Sequence, residues 1–258
     1  MVKPNYICVG VQKAGTSSLR NYLNQHPMIY CHEKELKFFF YFKKNSLNNS
    51  INYKNIKGYE NKFQTDKPIV GEKSPCYSCL FYAIDRIHKY NPDIKLILLL
   101  RNPILRAYSA FNMFTQLDNS LGKMNPNKIL NYFEKTAKNI KNLKDINRNG
   151  PYFIERGFYD EIIEYIYSKF PKENIYIGIS EEIKKNKLYY YNEIYEFLGA
   201  KKLDTIESSD HHIREYKIPI SKELAKFLYT IYKPHIEKLY KILGRRIESW
   251  EKYYETLE

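Results

Sequence analysis

The sequence predicts an α/β fold, a central parallel β-sheet flanked by helices. Three observations predict it. Short β-rich apolar runs alternate with helical patterns along the chain, as parallel strands joined by crossover helices require. Leu96 to Leu100 is apolar at every position, as expected for a strand covered on both faces. The first β-rich run enters a glycine-bearing loop and then a helix.

Tyr6 to Gly10 is that first strand, and the helix after it shows Leu19, Tyr22 and Leu23 on one face until His26-Pro27 stops it. Ile69 to Gly71 is a second strand candidate. Ile84, Ile87 and His88 lie on a helix ending near Asn91-Pro92, and the strand Ile94 to Leu100 follows. Arg101-Asn102-Pro103 opens the next helix, with proline suited to its first turn. Residues 119–128 are polar, carry Gly122 and Pro126, and read as a loop. Phe158, Ile162, Ile163 and Ile166 mark an amphipathic helix, and Ile175 to Ile179 is a further strand. Ser180-Glu181-Glu182 reads as a helix start, with acidic residues at the positive dipole end. The C-terminal third is helical through Leu224, Leu228, Ile231, Ile236, Leu239 and Ile242. Residues 43–66 are polar and Asn-rich and read as a surface insertion. With no internal repeat, residues 1–258 are taken as a single domain.

At 258 residues and 43% hydrophobic, the chain can bury a core and is not a disordered sequence. Its net charge of +13 favours anionic partners: nucleic acid, acidic lipid, nucleotide or acidic polysaccharide. A solvated lysine-rich surface gives the same charge, so charge alone does not choose among them. The 26 tyrosines accompany heavy use of Lys, Asn and Ile and are read as compositional bias. Of Cys8, Cys31, Cys76 and Cys79, only the last two are close in sequence, and no second pair accompanies them; free thiols are expected. His32, His211 and His212 are read as surface residues, and no metal site is expected. No apolar leader precedes the first strand, and the longest apolar run is too short to span a bilayer. The expectation is a soluble, cytoplasmic protein without a membrane span.

The loop Gly10-Val11-Gln12-Lys13-Ala14-Gly15-Thr16-Ser17-Ser18 carries the most chemical information. Backbone N–H groups there, with the helix N-terminus, form an anion cradle. A nucleotide P-loop reads G-x-x-x-x-G-K-[ST]. This loop keeps the Gly10 to Gly15 spacing but has Thr16 in the lysine position, and its basic residue, Lys13, lies inside the loop. The strand Ile94 to Leu100 runs into Arg101, with no acidic residue to hold magnesium. Two parts of an ATP-hydrolysing site are therefore missing. Taken alone, an ordinary strand-to-helix turn competes evenly with a phosphate loop.

Leu100-Arg101-Asn102-Pro103 through Ser109 tips the balance. Arg101 is expected at the carboxyl end of a buried strand, where α/β sheets bind ligands. Ser109 sits two turns into the helix that follows, since ~7 residues make two turns, near the face that looks back at Arg101. An arginine and a hydroxyl so placed suit a phosphate monoester.

Together the two segments resemble the sulfotransferase family that uses 3′-phosphoadenosine-5′-phosphosulfate (PAPS), and most closely its heparan sulfate (carbohydrate) sulfotransferase domains. The resemblance runs from Tyr6 to Trp250. It takes in Lys34-Glu35-Leu36-Lys37-Phe38-Phe39, Glu72-Lys73-Ser74-Pro75-Cys76-Tyr77, Arg156-Gly157-Phe158-Tyr159 and Leu243-Gly244-Arg245. It implies a P-loop-like sulfotransferase fold. It implies that Lys13, Ala14, Gly15, Thr16, Ser17 and Ser18 hold the 5′-phosphosulfate and that Arg101 and Ser109 hold the 3′-phosphate. It implies Glu35 as general base with Lys73, or alternatively Lys37, as its partner, and Lys13 on the bridging oxygen.

The animal enzymes carry a disulfide-bounded loop before their last helices. Here that region reads His211-His212-Ile213-Arg214-Glu215-Tyr216-Lys217 without cysteine, and Arg214 and Lys217 are the candidate cofactor contacts. The implied activity is sulfuryl transfer from PAPS to a hydroxyl or amino group of a carbohydrate or glycan, releasing 3′-phosphoadenosine 5′-phosphate and needing no metal. The alternatives are a P-loop-type nucleotide or small-molecule kinase and, behind it, a non-enzymatic binder of nucleic acid or acidic glycan.

Overall fold

The computed structural model describes residues 2–40, 53–117, 125–147, 150–208 and 218–257. The chain divides into two compact units, each built from two stretches of sequence. The first comprises Met1–Leu100 and Tyr165–His212; the second comprises Arg101–Glu164 and Ile213–Glu258.

The first unit holds a five-stranded sheet of β1 (Tyr6–Gly10), β2 (Ile29–Cys31), β3 (Ile69–Lys73), β4 (Lys95–Leu100) and β5 (Ile175–Ile179). The strands run in the order β2-β3-β1-β4-β5, and every pairing is parallel. β1 and β3 are buried at every position, as strands covered on both faces must be. A parallel sheet places all its strand ends at one edge, so the loops after β1, β3 and β5 open there together. Each strand predicted from sequence is present. β2 was not predicted: three residues are too few to show a period-2 pattern. Its edge place is fixed partly by Asn24, whose side chain accepts from the Cys31 N–H at 2.8 Å and donates to the Cys31 carbonyl at 2.9 Å.

Helix α1 (Thr16–Gln25) buries Leu19, Tyr22 and Leu23 and ends at His26, which Pro27 holds extended. Helix α2 (Tyr53–Glu60) lies within the segment expected to be a surface insertion. Tyr59 and Phe63 are buried, so this region contributes to the core despite its polar composition. Helix α3 (Phe81–Tyr90) stops at Asn91, before Pro92.

The second unit begins with α4 (Pro103–Leu117). The Asn102 side chain caps it, accepting from the N–H groups of Ile104 at 3.1 Å and Leu105 at 3.3 Å. Helix α5 (Pro126–Ala137) begins where a loop was expected. Asn125 caps it and Pro126 takes the first helical position, a signal already present in the Asn-Pro dipeptide. Helix α6 (Tyr159–Tyr167) passes from the second unit into the first. Helices α7 (Ser180–Lys185) and α8 (Lys187–Leu198) follow β5.

The chain closes with α9 (Lys222–Leu243) and α10 (Glu248–Glu255) in the second unit. In that unit the rings of Phe111, Phe133 and Phe153 pack together, Trp250 packs against Tyr159, and the fully buried Arg106 donates to the Phe153 carbonyl. Among the described residues, no helix is long and apolar enough to cross a membrane.

Candidate active site

The loop after β1 is held from several sides. Val11 N–H donates to the Leu99 carbonyl of β4 at 2.8 Å. The Ser180 hydroxyl, at the start of α7, donates to the Ala14 carbonyl at 2.6 Å. Ser78 N–H donates to the Val9 carbonyl at 2.9 Å. Gly10 is required by this last approach: a Cβ there would stand 2.2 Å from Ser78 Oγ and 2.8 Å from Ser78 Cβ. In sequence Gly10 contributes to a phosphate-loop spacing; its place in the fold is explained by packing.

Gly15 has a different role. It is the N-cap of α1 with φ 84°, a left-handed conformation that glycine adopts without penalty. It supplies no capping side chain, and the first turn of α1 carries no acidic residue. The N–H groups that open a helix have no intrahelical acceptor, and here no carboxylate competes for them. Thr16, Ser17 and Ser18 therefore begin a helix whose positive end faces the loop. Lys13, partly buried, also has positive φ, at 76°. Such a loop fits an anionic group with phosphate-like oxygens.

Beside it, β3 ends in Glu72-Lys73, followed by Ser74. Successive residues of a strand point to opposite faces, so Glu72 and Lys73 diverge. The Lys73 ammonium lies 3.0 Å from Glu35 Oε1 and donates to Ser17 Oγ at 3.4 Å. Its side chain is 7% exposed against 33% for Glu35. Lys37 approaches the other Glu35 oxygen at 3.3 Å from the solvent side. Both lysines named as partners thus reach Glu35. Lys73 is the buried one, and it also touches the helix that opens the cradle.

Glu72 has no exposed surface, and four donors converge on it: Leu36 N–H at 3.2 Å, Tyr59 O–H at 3.2 Å, Tyr77 O–H at 3.1 Å and Ser74 O–H at 2.7 Å. Burial pushes its carboxyl up to about 7, against the opposing pull of those hydrogen bonds. In sequence Glu72 is one letter of a motif, with no task of its own. Its network depends on a tyrosine from α2, in the segment read as an insertion.

In the second unit, Ser109 is buried within α4, and the Arg101 carbonyl accepts from the Tyr159 hydroxyl at 2.8 Å. Arg214, Lys217, His211 and His212 lie outside the described residues. His32 packs edge-on against Phe63 and bonds to the Lys34 backbone. All four cysteines are free thiols.

A family model described as the sulfotransferase domain matches residues 3–219. Among curated relatives, human heparan sulfate glucosamine 3-O-sulfotransferase 5 is 36% identical over 137 residues, 52% of this chain and 36% of that protein. The chain therefore matches about a third of that relative's length. Membrane-associated sulfotransferase kil1 of Dictyostelium discoideum is 23% identical, with 94% of this chain and 65% of that protein covered. Among solved structures, a sulfotransferase from Alicyclobacillus acidocaldarius superposes with a TM-score of 0.75 at 24% identity, covering 97% of this chain and all of that one. The sulfotransferase domain from the curacin biosynthetic pathway superposes with a TM-score of 0.53 at 14% identity, covering 96% of this chain and 100% of that one. The structural likenesses show the fold, and the family match shows the lineage: the chain belongs to the sulfotransferase domain family.

Proposed function

We propose that this chain transfers a sulfuryl group from PAPS to a hydroxyl or amino group of a carbohydrate acceptor, with Glu35 as general base. The observation that carries the proposal is the chain of contacts Ser17–Lys73–Glu35, which joins the start of α1 to the one carboxylate in reach of Lys73 among the described contacts. Family membership supports the activity and the donor; the names of the heparan sulfate relatives motivate a sugar acceptor.

PAPS is the donor substrate, and it supplies an activated sulfuryl group. The N–H groups from Gly15 to Ser18 are suited to hold its 5′-phosphate, and Lys13 to offset charge on the bridging oxygen. Arg101 and Ser109 are assigned to the 3′-phosphate on the motif alone. The acceptor oxygen or nitrogen attacks sulfur in line, a new bond to sulfur forms, and the bond from sulfur to the bridging oxygen breaks. The acceptor proton passes to the Glu35 carboxylate, and 3′-phosphoadenosine 5′-phosphate leaves with the electron pair. Lys73 holds the Glu35 carboxylate in place through their ion pair. Cations near the bridging oxygen act more strongly on the transition state, where charge develops, than on bound donor.

Transfer from labelled PAPS to glucosamine-containing oligosaccharides, with Glu35→Gln and Lys13→Ala beside the parent, tests the assignment. Loss of turnover in both is expected; full activity in both refutes it. Thermal stabilisation by ATP with magnesium and none by 3′-phosphoadenosine 5′-phosphate would return the kinase reading.

A further inference from the structure

Residues 34–37 lie outside any strand, yet Glu35 must be held steady to act as a base. The backbone N–H groups of this segment show how. Leu36 N–H donates directly to Glu72 Oε2 at 3.2 Å. Lys37 N–H donates to Ser74 Oγ at 3.0 Å, and that hydroxyl spends its own proton on Glu72 Oε2 at 2.7 Å. Phe39 N–H donates to the Tyr77 hydroxyl at 3.3 Å, and that hydroxyl donates to Glu72 Oε1 at 3.1 Å. Three N–H groups on the C-terminal side of Glu35 therefore end on one carboxylate, one directly and two through a hydroxyl relay.

With Glu72 ionised, as at pH 8, every bond in this network is directed toward an acceptor at its centre. Backbone N–H groups cannot turn round, so Ser74 and Tyr77 must accept from them and give their protons to Glu72. A carboxylate can accept all four donors; a neutral side chain with its own N–H or O–H cannot without reversing one of them. The carboxylate has no solvent-exposed surface, so bulk water does not compete for it.

We infer that Glu72 is the positioning residue for the catalytic base: its buried carboxylate fixes the backbone of residues 36–39 and so delivers Glu35 to Lys73. The inference rests on the reading of Glu35 as the base. Glu72 itself is too buried to touch an acceptor and acts through the segment it holds.

Two measurements on Glu72→Gln, made at pH 8 on the full chain, test this. The first is amide hydrogen exchange of the peptide covering residues 34–40, which needs no acceptor. Exchange in that peptide is expected to speed by at least about tenfold, while β1 stays protected. The second is turnover with labelled PAPS and a glucosamine oligosaccharide, beside the dissociation constant of 3′-phosphoadenosine 5′-phosphate.

A kcat loss on the order of 100-fold is expected, the effect of a misplaced reacting group, with donor-product affinity unchanged. In a Glu35→Gln background the same substitution should cost almost nothing further, because its effect runs through Glu35. Should Glu72→Gln fold poorly, Ser74→Ala removes one relay alone and should show the same pattern, weaker.

Unchanged exchange in the 34–40 peptide overturns the inference and leaves the base reading intact. Additive losses in the double variant also overturn it. Full activity of Glu35→Gln overturns the base reading, and with it the catalytic half of the inference, whatever the exchange shows.

Discussion

A fully buried carboxyl with a pKa near neutrality links stability to pH, and its magnitude follows from the structure. Burial raises Glu72 from an ordinary 4.5 to about 7. Between those values the folded protein holds a proton that the unfolded chain has released, so stability falls as pH rises through this window. The contribution is fully present below 4.5 and fully lost above about 7. At 1.36 kcal/mol for each tenfold difference in proton affinity, that is on the order of 3 kcal/mol.

Among its buried neighbours, two thiols and two phenols lie above this window. Burial pushes the Cys8 and Cys31 thiols on the adjoining strands, and the Tyr59 and Tyr77 hydroxyls, upward and away from it. The assay is chemical denaturation of the parent and of Glu72→Gln at intervals from pH 4.5 to 8. Only the difference between them is read, which removes every other titration. The parent should lose about 3 kcal/mol relative to the variant across that range, on the order of 10 °C in Tm for a chain of this size. A difference that stays flat, or rises with pH, refutes the placement of an ionisable carboxyl in an unhydrated core.

Other outcomes follow from single positions. Gly15→Ala puts a Cβ where the nearest neighbour is Ser180 Oγ at 4.0 Å, so only the φ of 84° is strained; a stability loss of about 1–2 kcal/mol is expected by thermal unfolding. Gly10→Ala collides with Ser78 and should be destabilised more than Gly15→Ala by the same method. Lys73→Met keeps the buried stem but removes the ammonium from Glu35, so turnover should fall at least about tenfold while Tm moves little, because Lys37 still pairs with Glu35. Asn102→Ala removes the cap of α4 and should cost about 1–2 kcal/mol in denaturant unfolding.

What could be read in advance was whatever local pattern determines. β1, β3, β4 and β5 are apolar and bounded by glycine, proline or charge, so their places followed from composition along the chain. Helix ends at His26-Pro27 and Asn91-Pro92 followed from the restriction proline imposes on its predecessor. β2 escaped because an edge strand of three residues depends on a side chain, Asn24, for half its definition. The start of α5 was legible in Asn125-Pro126 but was outweighed by the polarity around it.

At the site, Glu35 lies within ion-pair distance of both Lys73 and Lys37, residues whose motifs are separate in sequence. The four donors on Glu72 were not legible, since they come from positions 36, 59, 74 and 77 and meet only in three dimensions. Tyr59 is the clearest case: its segment is polar on average, and an average hides one buried ring.

The hydroxyl of Ser180 reaches the carbonyl of Ala14 from the far side of β4. The curve of the loop is thus maintained by a residue more than half the chain away, and its nine-residue string is not self-sufficient. Transplanted onto another strand–helix junction, that string would keep its glycines and its lysine and lose its shape. Conversely, a distant cousin could change several letters of the loop and preserve its contour, provided the outermost strand still ended in a small hydroxyl aimed inward.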